Sequence, residues 1–190
     1  MEKIISIIKN SIETKKLLID NNKALNDILN ITKEITRAFN NGNRIYFCGN
    51  GGSAADAQHL AAEFSGRFYT DRKALPAEAL HCNTSYMTAV GNDYGYENVY
   101  SRIISGIGRE GDVLIGISTS GNSENIVKAL ESAKQIGVIT ISLTGSNNCK
   151  MKAISDYIIQ APSTDTPRIQ ECHIMIGHII CQLVEENLFS

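Results

Sequence analysis

The first forty residues carry the apolar pattern of helices. Between Glu2 and Asn40 there is no glycine or proline, and isoleucine, leucine and phenylalanine recur at intervals of three and four residues. The polar run at 20–22 predicts a break between two helices, and the Asn-Asn-Gly run at 40–42 predicts the end of the second. We therefore expect two N-terminal helices within residues 1–41.

Beyond residue 42, short runs of β-branched and aromatic residues alternate with amphipathic segments, a pattern typical of a parallel sheet covered by helices on both faces. The strands are predicted at 44–48, 77–81, 113–117, 138–143 and 157–160. The helices are predicted at 54–66, 84–90, 96–108, 123–136, 148–154 and 167–188. We predict an α/β fold: a single domain (1–190) with a helical extension (1–41) and a doubly wound, three-layer α/β/α sandwich (42–190) around five parallel strands.

Composition narrows the class of protein. With 190 residues, 43% hydrophobic and 20% charged, the chain has enough material for a core, and this excludes bulk disorder. Eighteen basic against 20 acidic residues give a net charge of -2, which predicts neither a nucleic-acid partner nor a membrane partner. No apolar run spans a bilayer and no signal peptide is recognisable, so we expect a cytoplasmic protein.

The cysteines predict neither a disulfide framework nor a thiolate zinc site, because they are odd in number, widely spaced and without a C-x-x-C pair. We expect all five to be small buried side chains: Cys48, Cys82, Cys149, Cys172 and Cys181.

The loop after the first predicted strand, Gly-Asn-Gly-Gly-Ser at 49–53, is rich in glycine. Glycines allow a backbone to approach a ligand closely, and the spacing predicts Ser53 as the N-cap of the next helix with Asp56 completing a capping box. An ordinary strand-to-helix turn remains an equal alternative from this loop alone.

The loop after the third predicted strand, Ser-Thr-Ser-Gly-Asn-Ser at 118–123, carries four hydroxyls and leads into an amphipathic helix. Hydroxyl donors and unpaired N–H groups at a helix start form a cradle for an anion. No lysine or arginine lies within the loop, which favours a sugar phosphate over a nucleotide triphosphate with its magnesium. A serine-rich turn is the alternative.

Four residues are candidates for proton transfer near these loops. His59 and Glu63 are four residues apart and share a helix face, with Leu60, Ala61 and Phe64 supplying the apolar side. The last helix places His173 and His178 in an apolar stretch. The alternatives are a solvated surface pair for the first two residues and satisfied core histidines for the others.

At these residues the sequence resembles the SIS (sugar isomerase) domain family, which is flavodoxin- or Rossmann-like in fold, and within it the phosphoheptose isomerases. The resemblance covers essentially the whole chain. The matching motifs are C-G-N-G-G-S at 48–53, A-x-H-x-A-x-E at 57–63, G-R at 66–67, V-G-N-D-Y-G at 90–95, G-R-E-G-D-V-L-I-G-I-S-T-S-G-N-S at 108–123 and R-I-Q-E-x-H-I-x-x-x-H at 168–178.

The resemblance implies a homotetramer with active sites between subunits. It also implies conversion of sedoheptulose 7-phosphate to D-glycero-D-manno-heptose 7-phosphate, the first step of nucleotide-activated heptose synthesis. Glu63 and His178 correspond to the catalytic base and acid. Substrate contacts correspond to Asn50, Gly51, Gly52, Ser53, Glu63, Asn92, Asp93, Ser118, Thr119, Ser120, Ser123 and Gln170. One zinc ion per subunit is implied, with the ligands His59, Glu63, Gln170 and His178.

The implied chemistry agrees with the residue types, since an enediol pathway needs one base and one acid. The four implied zinc ligands are harder to bring together on one ion, because Gln170 and His178 lie eight residues apart, roughly 12 Å along an ideal helix. Non-catalytic relatives that bind the replication initiator are the alternative, but they lack the glutamate and histidine found here as Glu63 and His178. A sugar-phosphate-sensing domain would normally carry a further domain, for which 190 residues leave no room.

Overall fold

A computed structural model describes residues 1–189 and contains the predicted elements in the predicted order. The helices are α1 (Glu2–Ile19), α2 (Asn22–Asn40), α3 (Gly52–Ser65), α4 (Thr84–Tyr94), α5 (Val99–Ile107), α6 (Glu124–Gln135), α7 (Met151–Ile154) and α8 (Thr166–Phe189), with a 3₁₀ turn at Tyr96–Asn98. The strands are β1 (Ile45–Gly49), β2 (Ala77–Ala79), β3 (Val113–Ile117), β4 (Ile139–Thr144) and β5 (Tyr157–Gln160).

The sheet confirms the doubly wound α/β prediction. Within residues 1–189 it has five parallel strands in the order β2-β1-β3-β4-β5. The winding direction reverses between β1 and β3, and ligands of such sheets bind at the carboxyl ends of the strands at this reversal. Both strands are buried throughout, as expected for central strands. The loops that follow β1 and β3 are the two singled out from the sequence.

Helices cover both faces of the sheet and enclose two apolar clusters. Phe47 and Ile115 point to the face covered by α2, α3 and α8, while Tyr46 and Leu114 point to the face covered by α5 and α6. This alternation follows from the two-residue period of a strand. The fold therefore holds α3 and α8, which carry the candidate proton-transfer residues, side by side on one face.

The two N-terminal helices pack differently. Helix α2 buries Ile28, Ile31 and Ile35 in the core cluster, whereas α1 lies further out, against α8 and α2. Most of the apolar side chains of α1 stay exposed in the single chain: Ile4, Ile5, Ile7, Ile8, Ile12, Leu17 and Ile19. The division of the chain at residue 41 stays a prediction.

Several local predictions are wrong. Helix α4 runs to Tyr94, four residues beyond the predicted end, and the helix predicted at 96–108 is split into the 3₁₀ turn and α5. The strand predicted at 77–81 ends at Ala79, and the helix predicted from 148 begins at Met151.

The predicted capping box is also wrong. The N-cap of α3 is Gly51, whose φ of 55° lies in the left-handed region that favours glycine, so the helix begins before Ser53. Ser53 is buried in the first turn, and Asp56 keeps one buried carboxylate oxygen without a partner among the described residues. Burial raises the pKa of Asp56.

Three of the five cysteines, Cys48, Cys172 and Cys181, are buried as predicted. Cys149 is half-buried and Cys82 is exposed, so the prediction is wrong for Cys82, which follows the shortened strand β2. None of the helices within residues 1–189 combines the length and the apolar character that crossing a membrane requires.

Candidate active site

The glycine-rich loop between β1 and α3 is fixed by side chains from the 3₁₀ turn, α5 and α6. The hydroxyl of Tyr100 donates to the carbonyl oxygen of Gly49 at 2.6 Å. The carboxamides of Asn50 and Asn125 donate to each other at 2.9 and 2.8 Å, and the hydroxyl of Tyr96 donates to Asn50 Oδ1 at 3.2 Å. These contacts join the glycine-rich loop to the 3₁₀ turn, α5 and α6.

The serine-rich loop after β3 has its hydroxyls grouped around one buried oxygen. Ser118 Oγ shares hydrogen bonds with Ser123 Oγ at 3.0 Å and Ser120 Oγ at 3.4 Å, and it accepts from Gly121 N at 3.2 Å. Thr119 is half-buried, and its carbonyl oxygen accepts from Gly145 N at 3.1 Å. Ser123 is the N-cap of α6 without a side-chain cap bond, so the first N–H groups of α6 are available to an anion.

The two loops meet at the strand reversal. Asn125 lies in the first turn of α6, directly after the serine-rich loop, and its pairing with Asn50 joins that loop to the glycine-rich loop. The serine-rich loop is thus joined to the glycine-rich loop through Asn50, the residue before Gly51. This junction is at the position that the doubly wound topology predicts for a ligand site.

Three of the predicted catalytic and metal-binding side chains converge on one point. His59 Nε2 lies 3.0 Å from Glu63 Oε1, and His178 Nε2 lies 3.3 Å from His59 Nε2. The first pair comes from successive turns of α3 and the third residue from α8, 119 residues later in the chain. The structure thus brings His59, Glu63 and His178 together, and their catalytic and metal-binding roles stay predictions.

The approach of α3 to α8 depends on a glycine. Gly177 precedes His178, and a Cβ atom at this position would collide with the buried side chain of Leu60. Leu60 follows His59 on α3. The absence of a side chain at residue 177 therefore lets the two helices pack closely where the two histidines meet.

The donor set fits a divalent cation. In a tetrahedral zinc site with Zn–N distances of about 2.0–2.1 Å, two ligand nitrogens are about 3.3–3.4 Å apart, close to the separation of the two Nε2 atoms. His59 Nε2 carries either a proton or a lone pair, so it cannot satisfy Glu63 and His178 simultaneously by hydrogen bonding. All three donor atoms lie within 4.8 Å of one another.

Gln170, the fourth predicted ligand, belongs to α8 and lies beside the N-terminal end of α3. Its carboxamide lies so close to Gly52 that a Cβ atom there would collide with Gln170 Nε2. Gly52 precedes His59 by seven residues, roughly 10 Å along the helix. Gln170 thus lies beside the glycine-rich loop, and its metal-binding role stays a prediction.

The remaining predicted residues are less tightly arranged. Asn92 and Asp93 are exposed on α4, and within residues 1–189 their side chains hydrogen bond to each other, at 2.8 Å. His173 packs in the core: it is fully buried, and its Nε2 lies 3.1 Å from the carbonyl oxygen of Thr144, while its buried Nδ1 has no partner among the described residues. For His173 the structure therefore supports the alternative of a core histidine.

Sequence analysis missed Asn125, Tyr96 and Tyr100. Asn125 is a polar residue on the buried face of α6, among Ile126, Ala129 and Leu130. A polar side chain on the apolar face of an amphipathic helix could have been recognised from the sequence. The two tyrosines have no local signal, because their partners lie about fifty residues earlier in the chain.

Comparisons with known proteins show what the chain is similar to. The SIS domain family model matches residues 4–145. A phosphoheptose isomerase of Clostridium acetobutylicum is 52% identical over 183 residues, covering 96% of this chain and 93% of the relative. That of Aneurinibacillus thermoaerophilus is 53% identical over 184 residues, covering 97% and 93%. The solved phosphoheptose isomerase of Neisseria gonorrhoeae superposes with a TM-score of 0.91 at 38% identity, covering 97% of this chain and 98% of that one.

Proposed function

Because the chain belongs to the phosphoheptose isomerase family of SIS-domain proteins, we propose that it interconverts sedoheptulose 7-phosphate and D-glycero-D-manno-heptose 7-phosphate. The product would enter nucleotide-activated heptose synthesis in the cytoplasm. The observation that carries the proposal is the convergence of Glu63 and His178 on His59, on the two helices that follow β1 and β5.

Glu63 and His178 supply the base and the acid that the reaction needs. The Glu63 carboxylate takes a proton from C1 of the ketose, and His178 donates a proton to the C2 carbonyl oxygen, which gives an enediol. Removal of the proton from the C1 hydroxyl by His178 and return of a proton from Glu63 to C2 then give the aldose. Protons and electrons balance without a further reactant.

The serine-rich loop is the proposed phosphate site. Ser118, Thr119, Ser120 and Ser123 offer neutral donors, and the N-terminus of α6 adds the favourable potential of the helix dipole. Asn50, Gly51, Gly52, Ser53 and Gln170 would contact the sugar. The pairing of Asn50 with Asn125 and the closeness of Gln170 to Gly52 support this. Asn92 and Asp93 would contact the sugar from α4.

We propose zinc as the metal, held by His59, Glu63 and His178 and completed by Gln170 or by an oxygen ligand. When bound, zinc would stabilise negative charge on the oxygens of the enediol by Lewis-acid action. A carboxylate has two oxygens, so binding through one oxygen leaves the other for proton transfer.

We also propose the homotetramer with active sites between subunits. The support within this chain is the row of exposed isoleucines on α1, because adjoining exposed apolar side chains often mark a site of protein–protein contact. A second copy of the same helix face would cover it, since cyclic and dihedral assemblies bring identical patches together.

Incubation of the protein with sedoheptulose 7-phosphate and analysis of the product tests the proposed function. We expect D-glycero-D-manno-heptose 7-phosphate to form. Turnover of five- or six-carbon ketose phosphates without turnover of the seven-carbon sugar would contradict the substrate assignment. Absence of isomerisation, combined with binding of a replication initiator, would favour the non-catalytic alternative instead.

A further inference from the structure

A buried ion pair lies behind the histidine cluster. Arg72 Nε donates to Glu185 Oε2 at 2.9 Å, and the two side chains are only 3% and 5% exposed. Arg72 belongs to the segment between α3 and β2, and Glu185 lies on α8, two helical turns after His178. Burying two charges is costly unless their hydrogen bonds are satisfied, so the partners of each group are informative.

Glu185 organises the segment that follows α3. Its carboxylate accepts from three successive backbone N–H groups, those of Phe68 at 3.3 Å and of Tyr69 and Thr70 at 2.9 Å each. Burial alone raises the pKa of Glu185, but the hydrogen bonds from Thr70, Arg72, Tyr69 and Phe68 outweigh it, and the pKa is lowered. The carboxylate is therefore charged at neutral pH, and the backbone from Phe68 to Thr70 curves around it.

Arg72 closes the C-terminal end of α3. Its Nη2 donates to the carbonyl oxygen of Glu63 at 2.8 Å, and its Nη1 donates to that of Phe64 at 2.8 Å. The last carbonyl groups of a helix have no partner within the helix and need such donors. One of the two carbonyls belongs to the proposed catalytic base itself, so the guanidinium fixes the backbone from which that carboxylate extends.

The same segment also reaches the proposed catalytic acid. The ring centroid of Phe68 lies 5.7 Å from that of His178, with 33° between the ring planes. Because Glu185 binds the backbone N–H of Phe68, the position of this ring depends on the ion pair. The pair thus has a connection to each proton-transfer residue, through the Glu63 carbonyl and through the Phe68 ring.

We propose that Arg72 and Glu185 are positioning residues, which set the relative placement of the Glu63 carboxylate and the His178 imidazole without contacting substrate. This inference rests on the proposed function, since it assumes that these two groups transfer the protons. A displacement of about 1 Å can cost on the order of a hundredfold in rate. The consequence is a loss in kcat rather than in substrate binding.

Two conservative variants test the proposal, each removing a different part of the pair. Arg72→Lys keeps the positive charge but cannot donate simultaneously to Glu185 and to the two carbonyls, and Glu185→Gln keeps the shape but not the charge. We expect kcat to fall about ten- to hundredfold in each, with KM for sedoheptulose 7-phosphate changed less than about threefold. Lys134→Gln is the control, because it breaks the Lys134–Asp156 pair at the opposite edge of the sheet.

Amide hydrogen exchange in the wild-type protein provides a measurement that does not depend on variants folding. The N–H groups of Phe68, Tyr69 and Thr70 should exchange at least about a hundredfold more slowly than in an unstructured peptide. In Glu185→Gln this protection should fall, while the core strands stay protected.

The possible outcomes separate the two proposals. If the wild-type protein does not isomerise the sugar, the proposed function is wrong. If the wild-type protein is active and both variants keep its kcat, or if the loss in apparent kcat equals the measured loss of folded protein, the positioning role is wrong. Fast exchange of the three amides in the wild-type protein would also overturn it.

Discussion

The Nε2 atoms of His59 and His178 lie 3.3 Å apart, although 119 residues separate them in the chain. Glu63 approaches the same Nε2 atom of His59 at 3.0 Å, so two groups compete for one position on a single imidazole. A cation between the three residues would satisfy all of them together, because each would offer it a lone pair. The proposed metal site depends on this convergence.

Zinc binding should depend on both histidines. We expect wild-type protein purified without chelators to hold near-stoichiometric zinc, and His59→Ala and His178→Ala each to lower zinc affinity by about a hundredfold or more. Elemental analysis and calorimetric titration of metal-free protein with zinc alone measure this.

The exposed Cys82 provides the matched control, since Cys82→Ser should leave the zinc content unchanged. A smaller loss in Gln170→Ala than in the histidine variants would place Gln170 outside the set of strong ligands. Full retention of zinc by His59→Ala would contradict the site.

The serine-rich loop should control binding of the phosphate group. Removing one hydroxyl that donates to an anion costs roughly 1.5–3 kcal/mol, so Ser123→Ala should raise KM by about tenfold or more. The first N–H groups of α6 remain, and kcat should change little. Steady-state kinetics measure both, with Ser105→Ala on the exposed surface of α5 as the control. A change confined to kcat would show that Ser123 has a different role.

Acid should destabilise the protein through His173. Burial lowers the pKa of His173 to about 4. Between pH 6.5 and 4 the imidazole of His173 is therefore protonated in the unfolded chain but not in the native protein. The free energy of unfolding is highest above pH 6.5 and decreases as the pH falls towards 4.

In urea unfolding at a fixed protein concentration, the wild-type protein should lose about 2 kcal/mol more than His173→Gln between pH 7.5 and pH 5. The glutamine keeps an N–H donor for the Thr144 carbonyl but does not titrate. Equal losses in the two proteins would show that His173 is not the group responsible.

The apolar face of α1 should hold copies of the chain together. A double substitution, Ile8→Glu with Ile12→Glu, would place charges in the proposed contact, and we expect the tetramer to dissociate and activity to fall with it. Sedimentation velocity measures the oligomeric state. Ile107→Glu changes an exposed isoleucine on α5 and should leave the assembly intact. A wild-type monomer with full activity would contradict shared active sites.

The sequence predicted the order of the elements because strands such as Val113–Ile117 are short apolar runs between amphipathic helices. It predicted the wrong helix start at Ser53, because a serine followed three residues later by an acid has the pattern of a capping box. The backbone freedom of Gly51 allowed an earlier start.

Local sequence patterns cannot predict side-chain contacts between residues that are far apart in the chain. Nothing near Arg72 in the sequence shows that Glu185 lies beside it, and nothing near Tyr100 shows that its hydroxyl binds Gly49. The resemblance to a family supplied the proton-transfer residues, while these supporting contacts emerged from the packing of α3, α5 and α8.

The most direct test is isomerisation of sedoheptulose 7-phosphate in D₂O, followed by NMR until equilibrium, with wild-type protein and with Glu63→Gln. We predict that the wild-type protein forms the aldose with deuterium at C2, because the proton returned to C2 comes from a carboxylate that exchanges with solvent. Glu63→Gln should be slower by about a thousandfold while still binding the sugar phosphate. The account would be contradicted if the wild-type protein formed no aldose, if the aldose carried protium at C2, or if Glu63→Gln turned over normally.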